Sequence, residues 1–154
     1  MNRGQMDARQ LFVEARDAIA KMAEFDSERE KRMSRAMSMA KSDGPHGKGG
    51  KADPMSSVDS ALDFEASFAQ SLEGYRRTVG IARSVVAGYS TVDRTGASVL
   101  ALRYLMGWTW RKVYTKMGMS YDDVRLSESV AFDRIDSEGL IATAEGRLDV
   151  TGAE

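Results

Sequence analysis

The chain has no cysteine, one histidine and two prolines in 154 residues, and these shortages close most routes to chemistry. Without cysteine there is no disulfide framework, no thiolate nucleophile and no cysteine-based metal site. The one histidine, His46, lies in a glycine-rich run, and no Ser-His-Asp set can be built around it. Paired acids such as Asp122-Asp123 have no His or Cys companion, which argues against metal binding and acid–base chemistry. No apolar stretch approaches the roughly 18 residues of a membrane span, and the N-terminus lacks the apolar core of a signal peptide. The expectation is a cytoplasmic protein that is not an enzyme, carries no cofactor or metal, and makes no membrane contact.

What the chain does have is helical periodicity. Few prolines and no series of alternating strands predict an all-α protein. Residues 7 to 41 are nearly free of Gly and Pro, and Leu11, Ala15, Ala18, Met22 and Phe25 recur at helical spacing. Met33, Ala36 and Ala40 resume that stripe after the charged run Ser27 to Arg35. The run Ser42 to Pro54 (SDGPHGKGGKADP) reads as a flexible, Gly-rich loop over 42–54. It is no phosphate-binding P-loop, because neither Gly-Lys pair has the upstream Gly or the following Ser or Thr.

A second long helix is expected from Ser56 or Ser57. Its stripe is Ala61, Glu65, Phe68, Leu72, Tyr75, Val79, Ala82, Val86 and Tyr89. Steps of four and three throughout make this a coiled-coil pattern. Two pairings satisfy it: an antiparallel hairpin within one chain, or a homodimer through the long helices. The hairpin is assigned to residues 5–90.

Residues 91–138 change character. Val99, Leu102, Leu105 and Met106 form the inward face of a third helix that ends at Gly107. Thr109 is placed to cap a short helix bearing Trp110, Val113 and Met117, and Gly118 to end it. Ser120 caps the next helix, whose inward stripe is Val124, Ala131 and Ile135, and Gly139 closes it. This is the punctuation of a three-helix, helix-turn-helix unit, followed by a tail over 139–154. In DNA-reading units of this kind the last helix enters the major groove and the preceding helix crosses the backbone. That geometry assigns Ser120, Tyr121, Asp122 and Arg125 to base edges, and Arg111, Lys112 and Lys116 to phosphates. A generic three-helix bundle satisfies the same punctuation.

Charge bears on the choice. From Arg76 to Lys116 there are eight basic residues and one acid, a balance of +7; from Met117 to Glu154 there are three and nine, a balance of −6. One surface suited to a polyanion and another that repels it fit this distribution, as do two solvated faces.

The run Leu102-Arg103-Tyr104, Gly107, Thr109-Trp110, Val113, Met117-Gly118, Ser120-Tyr121 and Val124 resembles region four of bacterial sigma factors. It is closer to the phage-encoded, sigma-like regulators of the ArpU-like group and their prophage relatives. The resemblance is tight over 99–135 and loose over 5–90. It implies a transcriptional regulator that binds double-stranded promoter DNA, with host RNA polymerase as a further partner. The chain departs from that pattern at Tyr114, where Ala or Gly is usual, and at Asp122, Asp123, Leu126, Glu128 and Val130, where basic or aromatic groups are usual. Two other functions remain open: a protein-interaction module with a degenerate helix-turn-helix, and a small terminase-like DNA-packaging subunit.

Overall fold

A computed structural model describes residues 6–41 and 54–149, and every regular element among them is helical. The order is α1 (Ala8–Lys41), α2 (Pro54–Tyr89), α3 (Arg94–Leu100) running on into a π-helical turn (Ala101–Leu105), α4 (Trp110–Met117), α5 (Tyr121–Glu138) and α6 (Leu140–Ala144). The glycine-rich loop with His46, apart from Pro54, lies outside the described residues, as do the last five residues of the tail. None of the described helices is long and apolar enough to cross a membrane.

Local chemistry explains the helix starts. Asp7 accepts the Gln10 backbone N–H at 2.7 Å, and Asp93 accepts that of Gly96 at 2.9 Å. A short polar side chain placed there replaces a bond that the first turn cannot make internally. Helix α2 begins at Pro54, ahead of the expected caps Ser56 and Ser57. Proline suits a first helical turn, where its missing N–H is not needed.

The chain divides into two compact units, Ala20–Tyr75 and a second one made of Met1–Ile19 with Arg76–Glu154. The division cuts both long helices, so it does not coincide with the sequence boundary at residue 90. Within Ala20–Tyr75, the Phe25 ring stacks on Phe68 at 3.6 Å and lies 5.5 Å from Phe64. Arg29 pairs with Glu65 at 2.9 Å, and Arg32 donates to Ser60 at 3.3 Å. Residue numbers fall along α2 as they rise along α1, so these stretches run antiparallel within one chain. In the second half of the α1 stripe Ala36 is buried and Met33 is 43% exposed.

The other unit carries the larger core. Phe12, Tyr104 and Phe132 form a ring triad with centroids 5.8 to 5.9 Å apart. Tilted rings at this spacing place edge hydrogens towards π faces, and burying each such ring stabilises the fold by about 2–3 kcal/mol. Ala8, Leu11, Ala15, Val79, Ala82, Val85 and Tyr89 are buried in the same unit.

Two positions depart from the sequence stripes. Val85 is fully buried and Val86 only half-buried, because the burial steps along α2 run 82, 85, 89. Met106 is not an inward residue: it is 59% exposed, while Tyr104 is buried. The cause is the π-helical turn, in which the Met106 N–H reaches back five residues to the Ala101 carbonyl at 2.9 Å. One extra residue in the turn rotates everything after it off the 3.6-residue stripe.

The first part of the tail is folded as α6, with Thr143 and Leu148 buried. Gly88 on α2 makes this possible: an added Cβ there would overlap the Thr143 carbonyl.

Candidate nucleic-acid interface

The α4–α5 corner is built from three local signals. Thr109, in extended conformation, accepts the Lys112 N–H at 3.3 Å and starts α4. Gly118 at φ 64° ends it in the left-handed region that favours glycine. Its N–H returns to Thr115, and that of Met119 bonds the Tyr114 carbonyl at 3.1 Å. Ser120 then accepts the Asp123 N–H at 3.1 Å and starts α5. Beneath the corner, Val99, Val113 and Val124 are fully buried, with Leu102, Trp108, Trp110, Tyr114, Met117 and Met119 packed against them. Tyr114 lies edge-on to Tyr121 at 6.3 Å, so its bulk fits between α4 and the start of α5.

The residues expected to touch phosphate share one face of α4. Arg111, Lys112 and Lys116 line an open groove of about 440 Å³ with Trp108, Thr109 and Thr115, and no acid lines it. Arg111 and Lys116 are exposed and make no ion pair among the described residues, while Lys112 Nζ sits 4.1 Å from the Trp108 ring centroid. Three cations at steps of one and four, one of them over the Trp108 indole, give a surface with positive potential, two hydroxyl groups and an apolar floor. That is the composition a sugar–phosphate backbone needs. Thr115 was not among the expected site residues. Thr115 could have been found from its helical spacing to Arg111 and Lys112.

The residues expected to read bases are differently placed. Ser120 uses its hydroxyl as the helix cap. Tyr121 is 45% exposed, and its hydroxyl accepts a hydrogen bond from Arg125 Nη1 at 2.8 Å. Arg125 also lies 4.7 Å from the Trp110 ring and 3.7 Å from Glu128 Oε1, so its guanidinium is held by three partners of its own chain. Asp122 and Asp123 are exposed in the first turn of α5, where they complement the positive end of the helix dipole. An α5 tip bearing two carboxylates repels phosphate.

One acid of α5 is not on that surface. Glu128 is 1% exposed, accepts the Tyr104 hydroxyl at 2.7 Å, and faces Arg9 at 3.5 Å and Arg125 at 3.7 Å. Burial and this bond to a carboxylate push the Tyr104 phenol above its ordinary range. Glu128 is thus part of the core, and its charge is matched internally rather than presented to a ligand. Nothing in the 3.6-residue stripe Val124, Ala131, Ile135 marks it, because Glu128 is polar at an inward register position. Trp110 is half-buried, with Arg103 and Arg125 guanidiniums 4.8 and 4.7 Å from its ring centroid.

Among the described residues, no three His, Cys, Asp or Glu side chains converge as metal ligands would. Comparison of the chain with protein-family models, with curated proteins and with solved structures returns no match.

Proposed function

We propose that the chain is a non-enzymatic DNA-binding protein, a sigma-like transcriptional regulator of phage or prophage type, which grips the duplex through α4. The observation that carries this reading is the acid-free groove of Arg111, Lys112 and Lys116, set beside a capped helix-turn-helix corner. In this account α4 supplies sequence-independent affinity to phosphates, and the α5 tip supplies what discrimination there is. Arg125 reads a base only by leaving Tyr121 and Glu128, so base selectivity is modest. The test is fluorescence anisotropy of labelled promoter-like and random duplexes, with wild type and an Arg111/Lys112/Lys116 triple alanine variant. Binding by wild type and its loss in the variant support the reading; equal binding by both sinks it.

A second reading rests on a different surface. Leu126 and Val130, one turn apart on α5, are 63% and 49% exposed among acids. Apolar groups on a charged helix face suit a protein partner, such as a polymerase subunit. On that reading Leu126→Ser/Val130→Ser abolishes partner binding and leaves duplex binding intact.

A further inference from the structure

We propose that Arg103 and Arg125, both over the Trp110 ring, form with Arg16 of α1 a site for a phosphate group, separate from the α4 groove and independent of whether that groove binds DNA. The first observation is charge. Arg9, Arg103, Arg125, Trp110 and Glu128 are linked contact by contact: Arg9 and Arg125 both face Glu128, and Arg125 and Arg103 both lie over the Trp110 ring. Arg9 and Arg16 flank Phe12 on one face of α1, and Phe12 packs on Tyr104, the neighbour of Arg103. Arg9 and Arg125 therefore share one carboxylate, Glu128, while Arg103 and Arg16 make no ion pair among the described residues, so positive charge is in excess here. Such an excess calls for an anion.

The second observation is an unused donor. Arg103 donates through Nη1 to the Trp108 carbonyl at 2.9 Å, yet its buried Nε has no hydrogen-bond partner among the described residues. A buried N–H is rarely left unpaired, because the lost hydration is not replaced. The third is backbone geometry. Arg103 sits in the π-helical turn Ala101–Leu105, and turns of this kind cost regular helix bonding and concentrate at functional sites. Here the turn brings Tyr104 to Glu128 and Arg103 to Trp110 at once. Burial and the neighbouring Arg16 guanidinium also push Arg103 below the usual arginine range, as expected for cations crowded without a counter-ion. A phosphate bound here takes the Arg103 Nε–H and a guanidinium edge from Arg16 or Arg125, with the indole as the wall. The phosphate comes either from a nucleic-acid backbone or from a small anion in solution.

The two tryptophans, Trp108 and Trp110, permit a direct readout. A Trp108→Phe protein reports Trp110 emission alone and leaves the two guanidiniums over Trp110 unaltered. It is titrated with inorganic phosphate, with sodium chloride at matched ionic strength, and with a short duplex. The expected result is a saturable emission change with phosphate or duplex but not with chloride. Arg103→Gln and, separately, Arg16→Gln should each weaken it at least tenfold. A change with phosphate identifies a small-anion site, and one with duplex alone that persists when Arg111, Lys112 and Lys116 are also replaced by Ala assigns the site to a nucleic-acid backbone. Arg16 makes no side-chain hydrogen bond or ion pair among the described residues, so Arg16→Gln remains informative if Arg103→Gln unfolds. No saturable change with either anion, an equal response to chloride, or unchanged affinity in both variants overturns the proposal. The Arg111/Lys112/Lys116 triple alanine variant should keep the phosphate response, so loss of groove binding and loss of this site are told apart.

Discussion

Removing the Glu128 carboxylate is the sharpest perturbation of the fold that carries the proposed interface. Glu128→Ala deletes the acceptor of the Tyr104 hydroxyl, which is buried and bonded at 2.7 Å. An orphaned buried hydroxyl costs about 1–3 kcal/mol, and the space vacated by the side chain adds about 1 kcal/mol or more. The lost pairs to Arg9 and Arg125 contribute little, since those side chains are 53% and 42% exposed. The expected loss is therefore about 2–4 kcal/mol. Glu128→Gln keeps an acceptor for the phenol and should cost less than Glu128→Ala. Tyr104→Phe leaves the carboxylate without its strongest donor, and should cost about 1.5–3 kcal/mol. Because both changes break one bond, the double variant should fall short of their sum by about 0.5–3 kcal/mol. Urea unfolding followed by circular dichroism, with unchanged m-values, measures all four. A Glu128→Ala protein within about 0.5 kcal/mol of wild type, or a strictly additive cycle, would show that the buried carboxylate does not organise this core.

Three further outcomes follow from the same contacts. Gly88→Ala should destabilise by about 1–3 kcal/mol or displace α6, because the added methyl overlaps the Thr143 carbonyl backbone; thermal melting checks it, and limited proteolysis should cut first near α6. Ser120→Ala should cost about 1 kcal/mol through the lost bond to the Asp123 N–H, again read by melting. Tyr89 and Tyr104 are both held above the ordinary phenol value of 10.0, chiefly by burial and then by the hydrogen bonds to Asp93 and Glu128. The unfolded chain releases these protons at a lower pH than the folded chain. Their contribution to stability is thus complete below pH 10 and is lost as pH rises above it. Urea midpoints taken upward through that range should fall, and fall less steeply in Tyr104→Phe.

The fold was legible in the sequence where local chemistry decides it. Thr109, Gly118, Ser120 and Gly139 each stand at the helix end their side chain or φ value favours. Val113, Val124, Ala131 and Ile135 are all buried as their spacing requires. The π-helical turn was not legible, since one inserted residue leaves no compositional mark, and with it went the inward turn of Tyr104 and the exposure of Met106. Phe12, Glu128 and Phe132 were missed for a related reason: their partners lie more than a hundred residues apart in sequence, or become partners only after that turn. At the site, the cations of α4 were readable from charge and helical spacing. The engagement of Arg125 with Tyr121, Trp110 and Glu128 needed three dimensions.

The central claim is that α4 holds a nucleic-acid backbone, and the salt dependence of duplex binding tests it most directly. Each phosphate neutralised contributes about 0.9 to the slope of log affinity against log salt. Removing three contacting cations with Arg111, Lys112 and Lys116 replaced by Ala should therefore flatten the slope by about 2.7. Over a fourfold rise in salt, that is about a 40-fold smaller loss of affinity than in wild type. A wild-type slope no steeper than that of the triple variant, or no measurable duplex binding at low salt, would contradict the account.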